Sequence, residues 1–285
     1  MARAFLGMGL LGTNFVKAML DRGEKVQVWN RSPEKAAALE ALGAAVSADV
    51  AAAVKSADYI HVTLKDDDSV NDVLAAAAPG FKAGAMIIDH TTTSATGAIQ
   101  RTAEWKSRGF TYLHAPVFMG PANAREGSGF MLVSGNQEVI EKVQPLLDQM
   151  TGKVINFGAE EGKAAAMKLV GNCFLVAFTA GLSDTLALGK ALNVSVQDVG
   201  DLFSLWNPAQ MMPARLQRMS AGDYSKPSWE LNMARKDTQL FINSVQEKNG
   251  TLAVIPAIAE EMDRWIAKGF GSSDWTVIAK DAVKK

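Results

Sequence analysis

A chain of 285 residues with 48% apolar and 21% charged side chains is long enough for two domains and too apolar to stay disordered. Thirty acidic against 29 basic side chains leave a net charge of -1 without a polybasic cluster, so neither nucleic acid nor a membrane is an expected partner. The one cysteine, Cys173, cannot close an internal disulfide, which fits a reducing, cytoplasmic setting. No cleavable leader is expected before the first motif at Gly7, and the longest apolar run, Leu169 to Leu182, is too short to span a bilayer.

The chain opens with a short apolar strand, Ala2 to Leu6, followed by Gly7-Met8-Gly9-Leu10-Leu11-Gly12 and a helical run to Arg22. This is G-x-G-x-x-G between a strand and a helix. Gly7 permits the tight turn, Gly9 lets backbone approach a pyrophosphate, and Gly12 lets helix pack on strand. The helix amino terminus offers free N–H groups to phosphate. A second strand, Lys25 to Trp29, ends at Asn30-Arg31-Ser32, where NAD proteins usually place a carboxylate for the ribose. Here nothing repels a 2′-phosphate and Arg31 can clamp one, so the reading is NADP(H). Ser32 before Pro33 reads as an N-cap and first-turn proline.

Strands at Asp58 to Leu64, Met86 to Asp89 and Phe110 to Ala115 alternate with helices at Ser69 to Ala78 and Ser94 to Arg108. That alternation predicts a Rossmann-type, doubly wound parallel α/β sheet, with ligands at the carboxyl ends of its strands. Those ends carry Leu64-Lys65, Thr91 to Thr93 and His114-Ala115-Pro116. Asp66 to Asp68 reads as a helix start rather than a metal site, and no other ligand set has metal spacing. Val117 to Gly129 reads as one long substrate-edge loop. Phe130 to Ser134 and Lys153 to Phe157 read as further strands around a helix from Gln137 to Gln149. The expected domains are 1–160, nucleotide-binding, and 161–285, all-α.

Glu161 to Ala191 lacks proline and reads as one long interdomain helix. Met167, Gly171, Phe174, Phe178, Leu182 and Leu186 make an apolar stripe. Lys168 and Asn172, four apart, share another face, which lies among mostly apolar residues and is expected to be shielded from solvent. A lysine there snorkels to the surface, pairs with a carboxylate, or does chemistry. Further helices are expected at Ser195 to Ser204, Pro208 to Ser220, Leu231 to Lys248 and Ile255 to Lys268. Met211 and Met212 read as core filler, Trp206-Asn207-Pro208 as a packed turn, and His114 as a structural histidine.

Together these motifs resemble the β-hydroxyacid dehydrogenase family over nearly the whole chain, with the glyoxylate/succinic semialdehyde reductases as its best-matching type. The glycine signature, Asp89-His90-Thr91-Thr92 as D-x-S-T, Leu64 of the L-P pair with Lys65 in place of proline, and Lys236-Asp237 as K-D all correspond. Ala164 to Asn172 matches G-x-x-x-K-x-x-x-N except at its first position. The resemblance implies Lys168 and Asn172 as catalytic pair, Thr92 and Lys236 as cofactor contacts, and a homodimer or homotetramer. It implies NADPH-dependent reduction of a small aldehyde or semialdehyde, or oxidation of a hydroxyacid. The family's D-A-P-V-S-G-G substrate loop becomes His114 to Gly120, so Phe118 and Met119 beside Gly120 add bulk and remove a hydroxyl. Asn123, Arg125 or Ser128 could instead recruit a remote carboxylate. Imine reduction and a non-catalytic NADP-binding module are the rival readings.

Overall fold

The computed structural model describes residues 2–283. It falls into two compact units that divide inside the long helix, one running to Cys173 and the other from Phe174. The first unit runs β1 (Arg3–Leu6), α1 (Leu10–Asp21), β2 (Val26–Trp29), α2 (Pro33–Ala37), β3 (Ala45–Val46), α3 (Val50–Val54), β4 (Tyr59–Val62), α4 (Asp67–Ala77) and β5 (Met86–Asp89). It continues through α5 (Ala95–Ser107), β6 (Thr111–His114), β7 (Val117–Phe118), α6 (Pro121–Glu126), β8 (Phe130–Val133), α7 (Gln137–Leu147), β9 (Lys153–Asn156) and the start of α8 (Lys163–Ala191).

Six strands pair in the order β3-β2-β1-β4-β5-β6, all parallel. Alternate residues of β1 point to opposite faces, so Phe5 joins one apolar core while Ala4 and Leu6 join the other. Both faces are therefore covered, as a parallel sheet requires. The chain leaves β1 in one direction and β4 in the other, and the crevice between their carboxyl ends is where such sheets hold ligands. Helix starts follow side-chain chemistry: Asp49, Asp66, Ser94 and Asn136 each accept a backbone N–H of the first turn. Ser32 sits at the N-cap of α2 without bonding through its hydroxyl.

Three expectations change. The stretch from Val117 to Gly129 is not one loop: it contains β7, which pairs antiparallel with β8, and the short helix α6. β8 and β9 do not extend the main sheet but form a separate three-stranded sheet with β7. β3 and α3, too short to show periodicity, were not expected.

The second unit takes the rest of α8, then α9 (Val196–Leu205), α10 (Met212–Ala221), α11 (Leu231–Gln246), α12 (Ile255–Trp265) and α13 (Lys280–Val283). Its core gathers Tyr224, Leu231, Ala234, Met262, Trp265 and Val277. The buried Asp184 carboxylate of α8 accepts N–H groups from Ala253, Val254 and Ile255, which fixes the start of α12. Ser195 and Asp198 form the capping box their spacing predicts. On α8 Lys168 is buried, as expected of its face, while Phe174, Phe178 and Leu186 of the apolar stripe are exposed, as are Leu175 and Val176. Met211 and Met212 are exposed as well, not core. By length and apolar content α8 as a whole is also long enough to cross a membrane, although its longest uninterrupted run is not.

Candidate active site

The glycine turn is built by close approach. Gly7 has φ +99°, and a Cβ there would lie 2.1 Å from the Thr63 carbonyl oxygen. A Cβ on Gly12 would lie 1.9 Å from the Gly7 carbonyl oxygen. At Gly9 a Cβ would meet open space, the room a phosphate needs in front of the α1 amino terminus. Asn30 holds the turn from the next strand, its Oδ1 accepting the Met8 N–H at 2.8 Å and its Nδ2 donating to the Ser32 carbonyl at 2.9 Å. Met8 itself is buried beneath the turn.

A groove of about 610 Å³ runs along this surface. Gly7, Gly9, Asn30, Arg31, Ser32, Leu64 and Lys65 line it together, joined by Lys35, Thr63, Asp68 and Asp72, which the sequence reading passed over. Lys35 lies at the start of α2, just after the strand end that carries Arg31. An adjoining hollow is lined by Gly9, Leu10, Leu11, Gly12 and Leu64 on one side and by Met119 and Pro121 on the other. These residues fit a dinucleotide: free N–H groups and glycine space for the phosphates, and two cations beside a strand end without a carboxylate. Thr92 is exposed and lines neither surface. No cluster of metal-ligating side chains occurs among the described residues.

The loops after β4 and β5 are tied from behind. Thr91 Oγ1 accepts the Leu64 N–H at 3.0 Å, and Asp67 accepts the Ser94 N–H at 2.9 Å. Buried Arg101 donates to Asp67 and to the Tyr112 hydroxyl, which donates to Asp89; Asp89 in turn accepts the Thr91 N–H. All three histidines lie under the same strand ends. His90 Nδ1 faces the Ala115 carbonyl at 2.9 Å, so it carries the proton and leaves Nε2 to accept from His61 Nδ1 at 3.0 Å. His61 Nε2 then has no partner. His114 Nε2 donates to the Thr91 carbonyl at 2.8 Å, a structural role. Burial lowers all three imidazoles, His90 to about 4.

Lys168 lies in the second turn of α8, with Ala164 and Ala165 buried one turn before it. Its side chain is buried, which lowers the ammonium from its ordinary 10.5. Nζ donates to Asn172 Oδ1 at 3.0 Å, as their four-residue spacing predicts, and sits 4.3 Å from the centre of the Phe118 ring. No carboxylate shares it. Next in sequence after Phe118, Met119 lines the hollow beside the glycine turn. One loop thus touches both the lysine and the nucleotide surface.

The groups expected to recruit a remote carboxylate bond within the fold. Gly120 gives its N–H to Asn123 Oδ1 at 2.9 Å, Asn123 Nδ2 donates to Ser128 Oγ at 3.0 Å, and Arg125 pairs with Asp21. These groups fold the loop instead. Lys236 lies in the second unit, on α11, exposed and paired with Asp237 at 3.1 Å.

A parallel sheet with this strand order, a phosphate-ready glycine turn and a long helix leading into an all-α unit defines a nicotinamide-nucleotide-dependent oxidoreductase. Residues 3–158 match the NAD binding domain of 6-phosphogluconate dehydrogenase, and the chain belongs to that family, within the β-hydroxyacid dehydrogenase group its motifs resemble. It is similar to 3-sulfolactaldehyde reductase of Escherichia coli, 26% identical over 282 residues, 97% of this chain and 94% of that protein. It is also similar to the chloroplastic glyoxylate/succinic semialdehyde reductase 2 of Arabidopsis thaliana, 28% identical over 95% of this chain and 75% of that protein. Among solved structures, an imine reductase from Myxococcus stipitatus in complex with NADP+ shares the fold with a TM-score of 0.89, at 22% identity over 98% of this chain and 99% of that one.

Proposed function

We propose that the protein is an NADPH-dependent reductase of a small aldehyde or semialdehyde, of the succinic semialdehyde kind, with Lys168 as proton donor. The observation that supports this reading is a buried ammonium against Phe118, whose chain neighbour Met119 lines the hollow beside the glycine turn. Bound NADPH supplies the hydride to the carbonyl carbon. As it arrives, negative charge builds on the carbonyl oxygen; the Lys168 ammonium stabilises that charge and gives it a proton. The alcohol leaves and Lys168, now neutral, takes a proton from solvent. Asn172 holds the amine in place through both states. Run backwards, neutral Lys168 would take the proton of a hydroxyacid's alcohol, so reduction and dehydrogenation share one site. Arg31 and Lys35 would meet the 2′-phosphate. Lys236 and Thr92 belong to the reading as cofactor contacts on the family resemblance alone. A homo-oligomer in a reducing, cytoplasmic setting completes it.

The test is steady-state turnover of NADPH with a panel of aldehydes and cyclic imines, which also separates imine reduction. Lys168→Ala is expected to lower kcat by ~10²–10⁴, the range for a positioned acid. Because reduction needs the ammonium, wild-type kcat falls as pH rises through the lowered lysine pKa, below 10.5, and the variant loses that alkaline limb. A loss under tenfold with the fold intact removes Lys168 from the mechanism.

A further inference from the structure

The tip of the Phe118 ring meets α8 at Gly171. A Cβ at Gly171 would come within 2.3 Å of the ring's Cζ, so glycine alone leaves the ring where it is. On that ring rests the Lys168 ammonium, 4.3 Å from its centre. An ammonium has three donors. One is given to Asn172 and one side faces the ring, which leaves one direction for a carbonyl oxygen. An oxygen at the usual ~2.9 Å from Nζ lies within roughly 7 Å of the ring centre, so the ring borders the space its substituents enter. Around it the loop's polar groups bond within the fold: the Gly120 N–H to Asn123, the Asn123 amide to Ser128, and Arg125 to Asp21. A carboxylate beside the carbonyl would lose water to a π face, which repels anions.

Taking Lys168 as the proton donor, we propose that Phe118, seated by Gly171, is a specificity-determining residue: it selects carbonyl substrates whose substituent next to the carbonyl is uncharged, against those bearing a carboxylate there. Two substitutions probe it. Phe118→Ser removes the ring and adds a hydroxyl. Gly171→Ala keeps the ring but must displace it, in a helix that alanine favours.

With NADPH, wild-type kcat/KM is expected to be at least tenfold higher for propanal than for glyoxylate. Both variants narrow that ratio by at least tenfold, chiefly through a lower KM for glyoxylate. Glyoxylate preferred by the wild type, or a ratio unmoved in both folded variants, overturns the inference. If the wild type turns over neither compound, the reductase reading itself falls. The selectivity is then judged by calorimetry of oxalate with the NADP+-loaded proteins. Binding at least tenfold tighter to Phe118→Ser than to wild type upholds it, and equal binding overturns it.

Discussion

Asn30 and Arg31 divide a task that one carboxylate performs in many NAD-binding sheets. Asn30 turns its side chain back onto the glycine turn, bonding Met8 and Ser32, and so offers the ribose no acid. Arg31 faces the groove with Lys35 nearby. Replacing Arg31 by alanine is expected to weaken NADPH by roughly 10- to 100-fold, the worth of one charge-assisted hydrogen bond, and to change NADH by less than about threefold. Isothermal titration with each cofactor reads this; parallel losses would take the 2′-phosphate away from Arg31. At this scale spacing was legible and contact was not. Four residues between Lys168 and Asn172 stack them on any helix, so their pairing could be read in advance. That Gly120 spends its N–H on Asn123, or that Phe118 lies under the lysine, depends on how β7 pairs with β8, and pairing partners are not written locally.

At the carboxyl ends of β4, β5 and β6 three neutral histidines occupy space that a protonated one could not hold. Each has a folded pKa below its unfolded value of 6.5, His90 at about 4. Between those values the unfolded chain binds more protons, so stability rises with pH there. It is complete above about 6.5, falls as pH drops, and His90 alone accounts for about 3 kcal/mol across the window. Carboxylates held by hydrogen bonds, such as Asp184 and Asp274, have pKa values below their ordinary 3.8 and weaken the fold only in stronger acid. Urea unfolding at pH 7, 5.5 and 4.5 is expected to show the midpoint dropping at each step; a constant midpoint would mean the imidazoles are not buried and neutral. Glycine turn, strand–helix alternation and helix caps could all be read at this level, because each is a local pattern. The two-residue strands β3 and β7 could not, and neither could the departure of β8 and β9 into a second sheet. A four-residue apolar strand looks the same whichever neighbour it pairs with.

For the molecule as a whole, the outstanding fact is how much apolar surface α8 leaves uncovered: Val170, Phe174, Leu175 and Val176 are each more than half exposed. Patches of this kind mark an interface. A second copy of the chain is the occupant that suits it better than lipid, since Lys168, Asn172 and the buried Asp184 interrupt the same helix and a bilayer core penalises charge. Light scattering is expected to give at least twice the monomer mass. Val176→Glu is expected to shift it toward monomer, and a wild-type monomer at micromolar concentration would rule the association out. The sequence showed an apolar stripe through Phe174 but not the exposure of this surface, because an apolar face reads identically whether its own core or another chain covers it.

One unbroken rod from Lys163 to Ala191 carries the Lys168 amine near its start and this bare surface further along. Each added residue turns everything downstream by about 100°. A single insertion after Asn172 would therefore swing the later side chains round the axis while leaving the amine where it was. Over generations such a segment can trade one letter for another with some freedom, yet it tolerates almost no change in the count of letters.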